Sequence, residues 1–190
     1  MKFINNAFPN MDFDPDIKGY KKMREPSMIK LVRLSIPVGL SICILLFFTA
    51  QILTKTSLTL YIPKIGIGMP FSFLFWALIF AFFNVFMLII HEVLHAIVFP
   101  EKLSSDNIVF GAHKNGVVFT FYKEDMKKQR MLLSLAVPFL LLSVVSLIII
   151  IILDINKTLL MIGLLYHAFC SAGDIIGMFL IIKYTPRDCF

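Results

Sequence analysis

FSFLFWALIFAFFNVFMLIIHEVLHAIVF, residues 71–99, is apolar from its start to Ile90 except for Ser72 and Asn84, and then carries two histidines and a glutamate. As a helix rising 1.5 Å per residue the stretch spans ~43 Å. The hydrocarbon core of a bilayer is roughly 30 Å thick, so the stretch predicts a membrane-crossing helix that tilts or protrudes. Ionisable groups inside such a helix cost a few kcal/mol each. Something must compensate for His91, Glu92 and His95, and a metal ion is the obvious candidate.

Three more apolar blocks flank this one: residues 34–53, 131–153 and 159–182. Each is long enough to cross a bilayer as a helix. The whole chain is 58% hydrophobic and 16% charged. That is too greasy and too poorly charged for an ordinary soluble domain. The expected fold is an all-α integral membrane protein with four transmembrane helices. Residues 1–33 form a polar N-terminal segment, and residues 34–185 form the membrane domain. The first block starts too late for a signal-peptide core and reads as a retained signal anchor.

The net charge of +6 is carried by Lys and Arg around the apolar blocks. Seven lie at or before Arg33, and six lie between blocks two and three, from Lys102 to Arg130. The first loop has only Lys55 and Lys64, and the third only Lys157. Positive-inside reasoning places both termini and the second loop in the cytoplasm. The basic flanks suit anionic lipid headgroups, and no basic–aromatic pattern suggests a nucleic-acid module. The expected location is a bacterial cell membrane. Cys43, Cys170 and Cys189 form no CxxC pair, which argues against a thiolate metal site or a disulfide framework.

The second loop contains IVFGAHKNGVVFTFY, residues 108–122. Asn115-Gly116 between β-prone runs predicts a hairpin with a two-residue turn. That turn would place Phe110, Ala112, Val117, Phe119 and Phe121 on one face. Val109, His113, Val118, Thr120 and Tyr122 would then face the other way. The apolar face should rest on the membrane or the helix bundle. A second, weaker strand pair is suggested by LTLYIPKIGIG, residues 58–68.

His91, Glu92 and His95 form HExxH. Residues four apart share a helical face, so two imidazoles at this spacing can bind one zinc ion. The glutamate between them does not ligate and can take a proton from water. The plainer alternative is an unmetallated polar cluster, costly to bury in lipid. A zinc site with one open position needs a third protein ligand. Block four offers His167, Cys170, Ser171 and Asp174. His167, Ser171 and Asp174 stand at i, i+4 and i+7 and share a face.

Depth favours Asp174. His91 lies ~12 Å of helix before Phe99, and Asp174 ~13 Å before Lys183, both on helices running toward the cytoplasm. Its alternative role is helix packing beside Gly173 and Gly177. His167 could stabilise the transition state, hydrogen-bond a ligand from behind or ligate, with a hydrogen-bonded packing histidine the plainer reading. Asn84 shares the face of His91 and could hold a water or a carboxylate of the site, or make an interhelical hydrogen bond. Ser134, Pro138, Ser143 and Ser146 of block three read as bundle packing, with Pro138 a kink.

HEVLHAIVFP near the end of a membrane helix, a basic hairpin-bearing loop and SAGDIIG in the last helix together resemble a bacterial membrane family of zincin-type peptidases, long classed as a domain of unknown function. The resemblance spans roughly residues 20–185. The ligand pattern also resembles the site-2 intramembrane metalloproteases, which join HExxH to an aspartate of a later helix. Around that aspartate those enzymes carry Asn-Pro…Leu-Asp-Gly, where this chain has Ala-Gly-Asp-Ile. The resemblance implies one zinc ion on His91, His95 and Asp174, with Glu92 as the catalytic base. It implies hydrolysis of a protein or peptide substrate, itself membrane-associated. Val117, Val118, Phe119 and Thr120 are the expected substrate-binding strand. A metal-binding or partner-binding membrane protein with a degenerate motif is the competing class.

Overall fold

The computed structural model describes residues 2–5, 26, 28–54, 69–112, 118–152 and 158–186. It is mostly helical. The first helices are α1 (Met28–Leu53) and α2 (Met69–Val98). Next come α3 (Lys128–Pro138), a π-helical turn (Phe139–Val144) and α4 (Val145–Ile152), which run on as one span, Lys128–Ile152. The last span comprises α5 (Thr158–Cys170) and α6 (Ala172–Tyr184), joined through Ser171. Among the described residues, four spans are long and apolar enough to cross a membrane. α1 begins ahead of the apolar block, because Met28 to Arg33 continue the helix without a breaker.

Small residues set how closely the spans approach. Ala50, Ala168 and Ala172 are fully buried. A Cβ on Gly39 of α1 would meet the Phe169 ring of α5 at 2.7 Å. Helices without large side chains at the seam bring their backbones close and gain dispersion contacts. The main core joins Leu46 and Ala50 of α1, Leu147 and Ile150 of α4, and Met161, Leu164 and Ala168 of α5. α3 lies between α2 and α6 and touches both.

The strands are β1 (Lys2–Asn5), β2 (Ile108–Ala112) and β3 (Val118–Tyr122). They form one sheet in the order β1-β2-β3. β2 and β3 are antiparallel, while β1 pairs with β2 in parallel, Lys2 opposite Val109. The sequence reading did not anticipate β1, which is too short to show periodicity.

The hairpin register also corrects the expectation. Ile108 pairs with Tyr122, Phe110 with Thr120 and Ala112 with Val118. A two-residue turn at Asn115-Gly116 would shift every pair by one. The side-chain period of two makes that shift exchange the faces. Phe110 therefore shares a face with Thr120 and Tyr122, and Phe119 shares the other with Gly111, which leaves room for its ring. His113, the Asn115-Gly116 turn and Val117 lie outside the described residues, as does the suggested strand pair at 58–68.

The face bearing Ile108, Phe110 and Tyr122 packs on the end of α2, against Ala96 and Phe99. The loop between is tied by Glu101. Its carboxylate accepts from Asn107 Nδ2 at 2.9 Å, from Tyr122 Oη at 2.9 Å and from Ser105 Oγ. These three donors hold the Glu101 carboxyl below its ordinary range. Desolvation and the Glu101 contact push the Tyr122 phenol up to about 12. The sheet is thereby fixed to the helix that carries HExxH.

Candidate metal centre

His91, Glu92 and His95 stand one turn from the end of α2, where no breaker interrupts the helix until Phe99 and Pro100. The i, i+4 spacing turns both imidazoles the same way. His91 Nε2 and His95 Nε2 are 3.0 Å apart, and both residues are buried. Candidate ligand atoms of the His-Glu-His group lie within 4.8 Å of one another and could hold a metal ion.

Asp174 arrives from α6. Its Oδ2 is 3.1 Å from His91 Nε2, and its Oδ1 is 3.7 Å from His95 Nε2. His167, two turns earlier in the same span, places Nε2 3.0 Å from His91 Nδ1. The contacts ascend together along α2 and the last span, as they must between parallel neighbours.

The hydrogen bonds assign the tautomer of His95. His95 Nδ1 lies 2.8 Å from the Ser134 carbonyl, which can only accept. That nitrogen therefore carries the proton, and in the neutral ring Nε2 is a bare lone pair. His91 Nε2 faces two acceptors, His95 Nε2 and Asp174. A cation at that point would take His91 Nε2 as a lone pair and so put the His91 proton on Nδ1, where it donates to His167 Nε2. His167 would then carry its proton on Nδ1, 2.7 Å from Ser143 Oγ. His91 Nε2, His95 Nε2 and the Asp174 carboxylate thus converge on one point, a donor set that a cation would satisfy.

The spacing suits zinc. Zinc–nitrogen bonds of 2.0–2.1 Å in a tetrahedron imply ligand atoms about 3.3–3.4 Å apart. The three separations here, 3.0, 3.1 and 3.7 Å, bracket that value.

Glu92 is half-buried and opens onto a cleft of about 230 Å³. His95, Ser134, Asp174 and the β3 residues Val118, Phe119 and Thr120 line the same cleft. Thr120 Oγ1 donates to the Glu92 carbonyl at 3.1 Å and also reaches the Glu92 carboxylate. The strand is thereby pinned beside the glutamate.

Asn84 is not brought to this cluster. Its amide donates to Phe80 O of its own helix at 2.6 Å, and its buried Oδ1 has no hydrogen-bond partner among the described residues. Ser171 is likewise turned back, donating to His167 O. Block three contributes more than packing: the Ser134 carbonyl and Ser143 hydroxyl lie directly behind the histidines. Sequence analysis read both serines as packing, because a main-chain carbonyl has no side-chain signature and a serine in an apolar helix does not show which group it meets. The available signal was Pro138, four residues after Ser134.

A helical bundle that buries HExxH against an aspartate of a later helix has the donor set of a zincin-type metal site. A family model described as "Putative zincin peptidase" matches residues 84–190, and the chain belongs to that family. The match starts at Asn84 and so leaves out α1, whereas the resemblance read from the sequence reached back to about residue 20. Comparison with curated proteins finds no match, and comparison with solved structures finds none either.

Proposed function

We propose that this protein is a membrane-embedded zinc metallopeptidase that hydrolyses peptide bonds of a membrane-associated protein at the cytoplasmic side of the bilayer. The observation that carries the reading is the convergence of His91, His95 and Asp174 beside a glutamate that opens onto a cleft. In this reading the three residues hold one zinc ion. When bound, zinc acidifies water and polarises a carbonyl. Glu92 removes the proton of the attacking water and delivers it to the leaving amine. Asp174 offsets part of the ion's charge, and the groups behind the histidines keep their lone pairs aimed inward.

A membrane setting is supported by the apolar outer surface of the helices. Ile52, Phe82 and Ile152 are each at least 73% exposed. In water such surfaces would drive aggregation, whereas lipid satisfies them. The orientation rests on charge, and two contacts agree with it. β1 pairs with β2, which keeps the N-terminus beside the second loop. Lys128 Nζ donates to Thr185 O, which keeps the end of α6 on that side too.

β3 is an edge strand of its sheet and lines the cleft. An extended substrate segment added to that edge would present its peptide bonds beside Glu92. Strand addition also solves a problem of intramembrane cleavage, since a helical substrate hides its peptide bonds.

The deciding experiment is the metal content of detergent-purified protein. About one zinc per chain, lost in His95→Ala and in Asp174→Ala, is expected. No zinc in the wild type after reconstitution would remove the hydrolase reading. Retention in Asp174→Ala alone would discard Asp174 as a ligand.

A further inference from the structure

The span Lys128–Ile152 contributes no ligand to the proposed centre, yet it supplies the group behind His95 and the group behind His167, which itself stands behind His91. How one helix reaches both is not obvious. Ser134 and Ser143 are nine residues apart. On an uninterrupted α-helix that separation is ~900°, or half a turn off, so the two would face opposite sides. Both are nevertheless buried, at 2% and 0% exposure, and both touch the histidine cluster.

The helix departs from α geometry between them. Pro138 lacks an N–H and cannot bond the carbonyl four residues back, which is that of Ser134. The next N–H, of Phe139, bonds Ala136 O instead. The Ser134 carbonyl thus loses its α-helical donor, and His95 Nδ1 meets it at 2.8 Å. Ser134 Oγ in turn donates to His95 O at 3.0 Å, which locks α3 to α2 at this level.

Beyond Pro138 the chain makes a π turn, and the Val145 N–H bonds Leu140 O, five residues back. Such a turn absorbs one residue more than an α turn. With one residue absorbed, the offset between Ser134 and Ser143 falls from ~180° to ~80°. The π turn thus swings Ser143 into the same sector as Ser134, where it meets His167.

We propose that Pro138 and the π turn Phe139–Val144 are positioning elements of the metal centre: the proline frees the Ser134 carbonyl to fix His95, and the π turn rotates Ser143 onto His167, which in turn fixes His91. This inference rests on the proposed metal centre. Pro138→Ala restores an N–H that competes for the Ser134 carbonyl, releasing His95 to sample both tautomers. Leu133→Ala changes an exposed side chain of the same helix that touches no residue of the centre, so it serves as the control.

The test is histidine-labelled ¹⁵N NMR of the full chain in detergent before and after zinc removal, with His→Gln variants for assignment, beside zinc affinity by competition with a chromophoric chelator. In the metal-free wild type, His95 should carry its proton on Nδ1. Pro138→Ala should show a tautomer mixture and zinc binding weakened about 10–100-fold, while Leu133→Ala keeps the wild-type tautomer and affinity. A folded Pro138→Ala protein with wild-type tautomer and affinity would overturn the inference while leaving the metal centre standing. If Pro138→Ala does not fold, the wild-type spectrum decides, since a proton on His95 Nε2 refutes the role of the carbonyl. A wild type that takes up no zinc removes the metal centre, and this inference with it.

Discussion

The two histidines of HExxH sit on one helix face, yet they are held from behind by different kinds of group. His95 donates to a main-chain carbonyl, 2.8 Å away, that can neither ionise nor rotate out of reach. His91 meets a second imidazole, His167, which in turn meets the Ser143 hydroxyl. The first support is fixed by the course of the backbone. The second is a chain of three side chains, each able to tautomerise or turn. Rigid support sets ligand direction, and a polarisable chain can adjust charge at the ligand as the site changes. The His95 side therefore depends on the fold, and the His91 side on its chemistry.

The largest effects come from removing what both supports serve. His91→Ala and His95→Ala should each lose stoichiometric zinc, measured by atomic emission on purified protein. Glu92→Gln should keep the zinc and lower peptide hydrolysis by about 10²–10⁴-fold, the usual worth of a positioned general base. Zinc loss in Glu92→Gln would instead place Glu92 among the ligands and dissolve its separate role.

Breaking one support alone sharpens the contrast. His167→Ala should weaken zinc binding about 10–100-fold, because His91 loses the acceptor that fixes its tautomer. His167→Gln offers an amide oxygen to the same N–H and should recover part of that loss. Equal defects in the two variants would show that volume, and not the hydrogen bond, matters at this position. Ser143→Ala should fall between wild type and His167→Ala in chelator competition.

A smaller effect is expected where the substrate meets the site. Val118→Pro places a residue without an N–H on β3, beside the glutamate but clear of the donor atoms. Cleavage should drop several-fold while zinc affinity stays at the wild-type value. Unchanged turnover would remove strand addition as the mode of substrate binding.

What could be read from the sequence follows the same division. His91, Glu92 and His95 are visible because spacing on one helix is local information. Asp174 is visible because an acid in an apolar helix is rare and its depth can be counted. The four spans are visible because apolar length is decisive. The supports are not visible in this way. The Ser134 carbonyl is offered only because Pro138 withholds an N–H, and the π turn is a geometric change no side chain announces. The hairpin was legible as an element, but its register was not, because one residue more in the turn exchanges the two faces. β1 is legible only once β2 is in place to pair with it.

The smallest effect expected lies at the end of α2, where Glu101 and Tyr122 fasten the sheet. It separates stability from metal affinity, which the supports behind the histidines do not. The Glu101 carboxyl is held below its ordinary value of 4.5 by hydrogen bonds from Ser105, Asn107 and Tyr122. A carboxyl lowered in the folded state contributes stability that is complete above the unfolded value and lost as pH falls through the folded one. Tyr122 has the opposite sense: raised to about 12 from 10.0, it contributes fully below pH 10 and its share is lost as pH rises toward 12. The cap should therefore hold on a plateau between about pH 4.5 and 10 and weaken outside it. Glu101→Gln should flatten the acid limb of the thermal-unfolding profile and lower the plateau slightly, with zinc affinity at neutral pH unchanged. A zinc defect in Glu101→Gln would mean that the cap, and not the Thr120 contact alone, sets the position of the sheet against the glutamate.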